Sequence, residues 1–284
     1  MATKSKPTTT AIAKWDEELA REAEIAANME ANTAGGQFFS TKSGVLSWND
    51  AQLPDNQMAV IILDSIMEND FYEGEYDPKN PVPPLCFAFG RDEKAMAPHK
   101  IVIEAGNAQH EGCQGCEWNE FGTADKGRGK ACKNTRRLAM IPAGTLTADG
   151  RFTPFDDVAK FESAAPGFMR LPVTSVRGYA SFVKQVAGAL KRPPYGVFTK
   201  VKVVPDAKNQ YQVTFEALGK VGDELMPTVH QRHQELMATI DFPYALAEEQ
   251  PAPPPPRATR GRAATAPARG GKNVAPARKT GRKY

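Results

Sequence analysis

Four cysteines, Cys86, Cys113, Cys116 and Cys132, follow the spacing C-x26-C-x2-C-x15-C. Two thiolates separated by two residues can reach one ion while the backbone amides of the turn point at the sulfurs, and a sulfur-rich tetrahedral donor set selects zinc. Glycines stand directly before both cysteines of the pair, Gly112 and Gly115, where they let the chain turn tightly. For the fourth ligand, Cys86 completes an all-thiolate set, and His110, three residues before Cys113, is the alternative. Cys86, within LCFAFG, also reads as a small buried strand residue. Four thiolates can equally hold an iron–sulfur cluster. A thioredoxin-type redox pair would need a strand-to-helix unit around the CxxC, which the flanking residues do not suggest. A site closed by four protein ligands leaves no position for substrate, so the expected role is structural: zinc fixing a loop over about residues 105–137.

The residues after this turn carry a second kind of chemistry. Lys126, Arg128, Lys130, Lys133, Arg136 and Arg137 place six cations within twelve residues, with Trp118 and Phe121 just before them. Single-stranded nucleic acid needs this combination, phosphate contacts together with flat surfaces on which bases stack. The alternative is a solvated basic loop with Trp118 packed under the turn. Tyr179 and Tyr195 are further stacking candidates, with Trp48 and Tyr72 behind them, and Lys200 and Lys202 alternate along a strand and extend the basic face. Phosphate-binding glycine motifs are missing, since Gly127-x-Gly129 lacks the third glycine and the strand-to-helix setting of a dinucleotide loop. His230 and His233 are spaced as half of a metal site or as a solvated helix face. The carboxylates Asp64, Glu68, Asp70, Glu73, Glu75 and Asp77 form either a solvated acidic loop or a magnesium site for nuclease chemistry. A binding protein, not an enzyme, is the expected class.

The elements that must position these residues are mostly strands. Met58 to Met67 is a dense apolar run read as a buried strand; Leu85 to Phe89, His99 to Glu104, Arg137 to Pro142 and Gly167 to Pro172 are shorter candidates. Gln37 to Trp48 partly alternates, and Pro78 to Pro84 is an irregular connection. Val197 to Val204 and Tyr211 to Ala217 alternate around a polar turn and predict a hairpin. Helical periodicity appears over Lys14 to Asn32, ended by Ala34-Gly35-Gly36, over Thr174 to Leu190, ended by Pro193-Pro194, and over about Asp223 to Thr239. The expected fold class is α+β, mainly β: an OB-like antiparallel barrel with a zinc-bound loop insertion, flanking helices and a disordered basic tail.

Charge divides the chain. Nine of its 36 Lys and Arg, and none of its 33 Asp and Glu, lie after residue 250, so a body of net −6 carries a tail of +9. That tail, 251–284, holds seven prolines and one aromatic, Tyr284, too little apolar area to offset chain entropy. A basic disordered arm suits a polyanion, because counterion release needs charge but no fold; a solubilising or self-associating tail is the alternative. The expected organisation is a leader over 1–13, one domain over 14–250 and the tail over 251–284. The chain is 41% hydrophobic, enough to close a core, but it has no apolar run of about 18 residues to span a membrane and no apolar signal segment, so a cytoplasmic protein is expected.

One resemblance adds to this reading. Cys113-Gln114-Gly115-Cys116-Glu117-Trp118-Asn119-Glu120-Phe121-Gly122 and Gly129-Lys130-Ala131-Cys132-Lys133-Asn134-Thr135-Arg136-Arg137-Leu138 resemble the CxxCxxNxxG turn and GKxCKxxRRL strand of a class of small bacteriophage-encoded proteins. These are associated with phage DNA metabolism and with zinc-containing single-stranded DNA-binding proteins on an OB-like barrel. The resemblance covers about 25 residues. It implies Cys113, Cys116 and Cys132 as zinc ligands, Lys130, Lys133, Arg136 and Arg137 as a basic face, single-stranded DNA as the partner, and replication or recombination proteins as further partners, acting in the host cytoplasm. Many such proteins end in an acidic recruiting tail, whereas this chain ends in a basic one, which fits direct contact with nucleic acid or self-association. The competing functions are a zinc-containing regulatory protein that docks a replication or transcription partner through its acidic N-terminal helix, and a magnesium-dependent nuclease.

Overall fold

The computed structural model describes residues 38–49, 51–74, 82–125 and 127–244, together with Trp15, Glu18, Leu19, Arg21 and Glu22, which are helical. The leader, most of the helix expected over Lys14 to Asn32, the Ala34-Gly35-Gly36 stop, Lys126 and the tail lie outside the described residues.

In chain order the strands are β1 (Phe38–Phe39), β2 (Ser47–Trp48), β3 (Ala51–Gln52), β4 (Gln57–Phe71), β5 (Cys86–Gly90), β6 (Lys133–Pro142), β7 (Gly144–Leu146), β8 (Phe152–Pro154), β9 (Gly167–Leu171), β10 (Val197–Asp206) and β11 (Gln210–Lys220). The helices are α1 (Lys100–Glu104), α2 (Ala159–Ser163), α3 (Val173–Leu190) and α4 (Met226–Met237). The fold is α+β and mainly β. Seven strands form one sheet in the order β1-β9-β6-β4-β10-β11, with β5 also paired to β4; β2-β3 and β7-β8 are separate two-stranded ribbons. All ladders of the main sheet are antiparallel except β1 with β9.

The long strand β4 explains the layout. Its first residues pair with β10, its last with β5, and β6 runs along its other edge. The run Val60-Ile61-Ile62-Leu63 does not alternate with polar residues because both faces of the sheet are covered. Val60 and Ile62 pack with Leu138, Met140, Met169 and Leu171 against Tyr179, Phe182 and Val186 of α3. Ile61 and Leu63 pack with Ala139, Ile141 and Phe168 against Phe161 of α2 and Val229 and Leu236 of α4. Burying such side chains contributes on the order of 2 kcal/mol each, so this double layer is the core of the molecule. The sheet curls into a half-barrel: β1 and β11, the ends of the strand order, share no ladder, but the turn after β1 returns to β11, with Thr41 Oγ1 3.4 Å from the Tyr211 hydroxyl.

His99 to Glu104, expected as a strand, is helical from Lys100: the His99 ring accepts from the Ile101 amide at 3.4 Å and caps the turn. Of its apolar residues only Val102 is buried, with Ile101 half-buried and Ile103 exposed. No helix among the described residues is long and apolar enough to cross a membrane.

Candidate metal centre and basic finger

Three distant segments bring the cysteines together. Cys86 opens β5, Cys113 and Cys116 flank a turn after α1, and Cys132 directly precedes β6. All four line one cavity of about 20 Å³, room for a body of roughly one water's size. Gly115, inside the pair, has φ +83°, a left-handed conformation in which any side chain would be strained. The backbone around the cavity is fixed as well: the Cys113 amide donates to Met96 O at 2.9 Å and the Cys132 amide to Trp118 O at 2.8 Å. Cys116 and Cys132 are buried, Cys86 and Cys113 half-buried.

Burial pushes the thiols of Cys86 and Cys113 up, and neighbouring cysteines add to the shift. Burial, then the charges of Cys113, Asp70, Cys86 and Cys116, pushes Cys132 up to about 12. Crowded thiols in an apolar pocket stay protonated, and a cation at their centre reverses that preference. Among the described residues no group of three or more His, Cys, Asp or Glu side chains is already disposed to hold a metal ion; the cavity gathers four donors without closing them into a coordination sphere. His110 also lines it, but the ring is exposed and its Nδ1 lies 2.9 Å from Gly112 O and 3.2 Å from the Gly112 amide, turned to its own loop.

Three asparagines tie this turn to the sheet. Asn69 and Asn134 face each other across β4 and β6, and Asn134 Nδ2 donates to Asn69 Oδ1 at 2.7 Å and to Asn119 Oδ1 at 3.0 Å. Asn119 Nδ2 in turn donates to Cys113 O at 2.8 Å, and Lys130 Nζ donates to Asn119 Oδ1 at 3.3 Å. One polar chain therefore runs from the sheet through the CxxC turn to a lysine of the basic segment.

That segment projects as a finger closed by its own hydrogen bonds, Gly122 N to Gly129 O at 2.9 Å and Ala131 N to Thr123 Oγ1 at 3.0 Å. Phe121 stands on it 80% exposed, with Lys130 Nζ 5.2 Å from the ring centre. Arg128 and Lys133 are exposed beside it, and Lys133 Nζ donates to Lys130 O at 3.0 Å. Trp118 is half-buried and stacks on Phe71 with centroids 4.9 Å apart and planes 25° apart.

Several expected members of the basic face lie elsewhere. Arg137 is fully buried. Its Nε donates to Glu68 Oε2 at 2.8 Å, its Nη1 donates to the carbonyls of Ile240 and Phe242 at 3.1 and 2.7 Å, and its guanidinium lies 4.3 Å from the Phe89 ring and 4.2 Å from that of Phe242. It clamps the segment after α4 to the sheet and has no face for phosphate. Adjacent strand residues point to opposite faces, and Arg136 is half-buried on the other one. Tyr179 is 1% exposed in the α3 core, so it is no stacking platform. Tyr195 packs face to face on His233, 4.3 Å apart at 19°, while His233 Nδ1 lies 2.7 Å from Leu63 O; this accounts for His233 without a metal. Trp48 packs on Phe39 at 4.3 Å.

Lys200 pairs with Glu216, and both Lys200 and Lys202 sit opposite the start of β4. Lys133 sits opposite Asp70 at its other end, so roughly 40 Å of strand separates the two groups. The acidic residues are also dispersed. Asp64 accepts from Arg91 Nη1 at 3.0 Å, Glu68 is held by Arg137, and Asp70 pairs with Arg170. Glu73 is exposed, and Glu75 and Asp77 lie outside the described residues.

Two participants had no signal in the sequence. Arg170 on β9 pairs with Asp70, lies 3.3 Å from Glu68 Oε1 and donates to the Tyr72 hydroxyl at 2.9 Å; Tyr244 donates to Glu68 Oε1. Their partners are about a hundred residues away or more, and local spacing carries no such information. No protein-family model, curated protein or solved structure matches the chain.

Proposed function

We propose that this chain binds single-stranded DNA through the finger between Cys116 and Cys132, with a zinc ion held by Cys86, Cys113, Cys116 and Cys132 as the finger's structural base. The observation that carries the reading is Phe121, a large aromatic ring 80% exposed to solvent under a lysine ammonium. Leaving such a ring in water forgoes its burial energy, and pairing a flat apolar face with a cation is how a sequence-tolerant strand is gripped. Trp118, Arg128, Lys130 and Lys133 complete the grip, and the asparagine chain couples Lys130 to the metal turn. Cys86 is preferred to His110 as fourth ligand because it lines the cavity half-buried, whereas the His110 ring is exposed and engaged with Gly112. A closed thiolate site has no open coordination position, so the metal's part is to hold shape. The curled sheet is read as an OB-like barrel left open between β1 and β11. The resemblance to phage-encoded zinc-containing single-strand binders supports the same conclusion and suggests replication or recombination as the setting.

The test is a fluorescent single-stranded oligonucleotide titrated with the zinc-loaded chain. Phe121→Ala weakens binding by about 1–3 kcal/mol, roughly 5- to 150-fold, without lowering the melting temperature, because the ring packs on little. Lys130→Ala reduces the slope of affinity against salt by about one phosphate contact. Unchanged affinity in both variants refutes the finger as the binding element.

A further inference from the structure

Beside the finger the described residues leave a cleft of about 840 Å³ whose walls include Phe71, Tyr72, Trp118, Lys133 and Arg170. It adjoins the cysteine cavity, since Phe71 and Trp118 line both. Two of its aromatic walls are immobilised from behind. Trp118 is backed by the buried Phe71 ring, and the Tyr72 hydroxyl accepts from Arg170 Nη1 at 2.9 Å. Arg170, whose side chain is 30% exposed, pairs with the fully buried Asp70 and Glu68 and acts as a positioning residue for Tyr72. Lys133 is exposed, and its ammonium donates to Lys130 O. Two flat side chains held from behind and the Lys133 ammonium, with the exposed carboxylates of Glu73 and Asp125 also lining the cleft, make a receptor for a flat aromatic ring whose attached anion is met by Lys133.

We infer that this cleft seats one unstacked nucleotide of the bound strand, the base against Tyr72 and Trp118 and its phosphate at Lys133. The inference rests on the reading of the chain as a single-strand binder and adds a second contact point to the finger. A strand that passes Phe121 and enters the cleft is held at two places, which fixes its path across the molecule. A free mononucleotide offers the same ring and anion, and the test separates the two.

The test uses the full zinc-loaded chain and a single-stranded oligonucleotide carrying 5-iododeoxyuridine, crosslinked by light and mapped by mass spectrometry. The expected result is a crosslink at Tyr72, a loss of affinity of tenfold or more in Tyr72→Ala, and a smaller loss in Tyr72→Phe, which keeps the ring but gives up its hydroxyl anchor to Arg170. Melting curves of both variants identify a folding defect, and the crosslink map of the unmodified chain stands independently of them. Crosslinks confined to Phe121, Trp118 or the tail, with binding intact, overturn the cleft while leaving the finger. A mononucleotide that binds as tightly as the oligonucleotide makes the cleft a free-nucleotide site and overturns the inference. No oligonucleotide binding at all removes both readings.

Discussion

At the scale of single residues, the pair Arg136-Arg137 carries most of the contrast between what a charge pattern suggests and what packing does with it. Arg137 is enclosed by Glu68, two carbonyls and the rings of Phe89 and Phe242. Removing one member of a buried ion pair leaves the other charge stranded in a low dielectric and costs about 3–5 kcal/mol. Arg137→Ala is therefore expected to lower the melting temperature strongly, and thermal unfolding followed by circular dichroism checks it. A variant that folds with unchanged stability but loses DNA affinity would return Arg137 to the basic face. Glu68, Asp70 and Arg170 were equally illegible as a network. In the sequence they are two carboxylates of an acidic stretch and one isolated cation, and only the pairing of β4 with β6 and of β6 with β9 makes them neighbours.

At the scale of elements, strongly patterned segments were readable. The β10-β11 hairpin and helices α3 and α4 fall where alternation and helical periodicity place them, because each presents one consistent apolar face to the core. Lys200 and Lys202 were correctly seen on a strand, but which end of β4 that strand meets depends on register, which local sequence does not encode. The short Ile101-Val102-Ile103 run misled for the opposite reason, five residues being too few for either period to show.

The cysteine turn is the element whose behaviour is most sensitive to conditions. The thiols of Cys86, Cys113 and Cys132 are held above their ordinary value without metal, so the folded, metal-free chain binds these protons more tightly than the unfolded one. Its stability from these groups is present below the ordinary thiol value and is lost as pH climbs toward about 12. Zinc inverts the sign, since each thiol must lose its proton to bind it. Adding zinc to chelator-treated protein near neutral pH should release one proton from each of these three cysteines, at least three in all, and affinity should fall as the solution is acidified. Calorimetry in buffers of different ionisation enthalpy measures this directly. Zinc uptake without proton release, or uptake unaffected by Cys132→Ser, contradicts the four-thiolate assignment.

At the scale of the whole molecule, residues 1–250 carry all 33 acidic side chains and residues 251–284 carry nine cations and no acid. The two parts carry opposite net charges, −6 and +9, so under the proposed function nonspecific attraction to phosphate would belong to the tail, whereas preference for an unpaired strand, which requires exposed bases, would belong to Phe121, Trp118 and Tyr72. The two contributions separate by salt and by duplex competition, because counterion release dominates the first and stacking the second. The most direct measurement is the affinity of zinc-loaded residues 1–249 for a fluorescent single-stranded oligonucleotide, across a salt series and with duplex DNA as competitor. The expected result is binding that resists duplex competitor and weakens with Phe121→Ala, with the tail in the full chain raising affinity and steepening the salt dependence. If residues 1–249 ignore DNA while the full chain binds single and double strands alike, the tail alone binds nucleic acid and the finger does not.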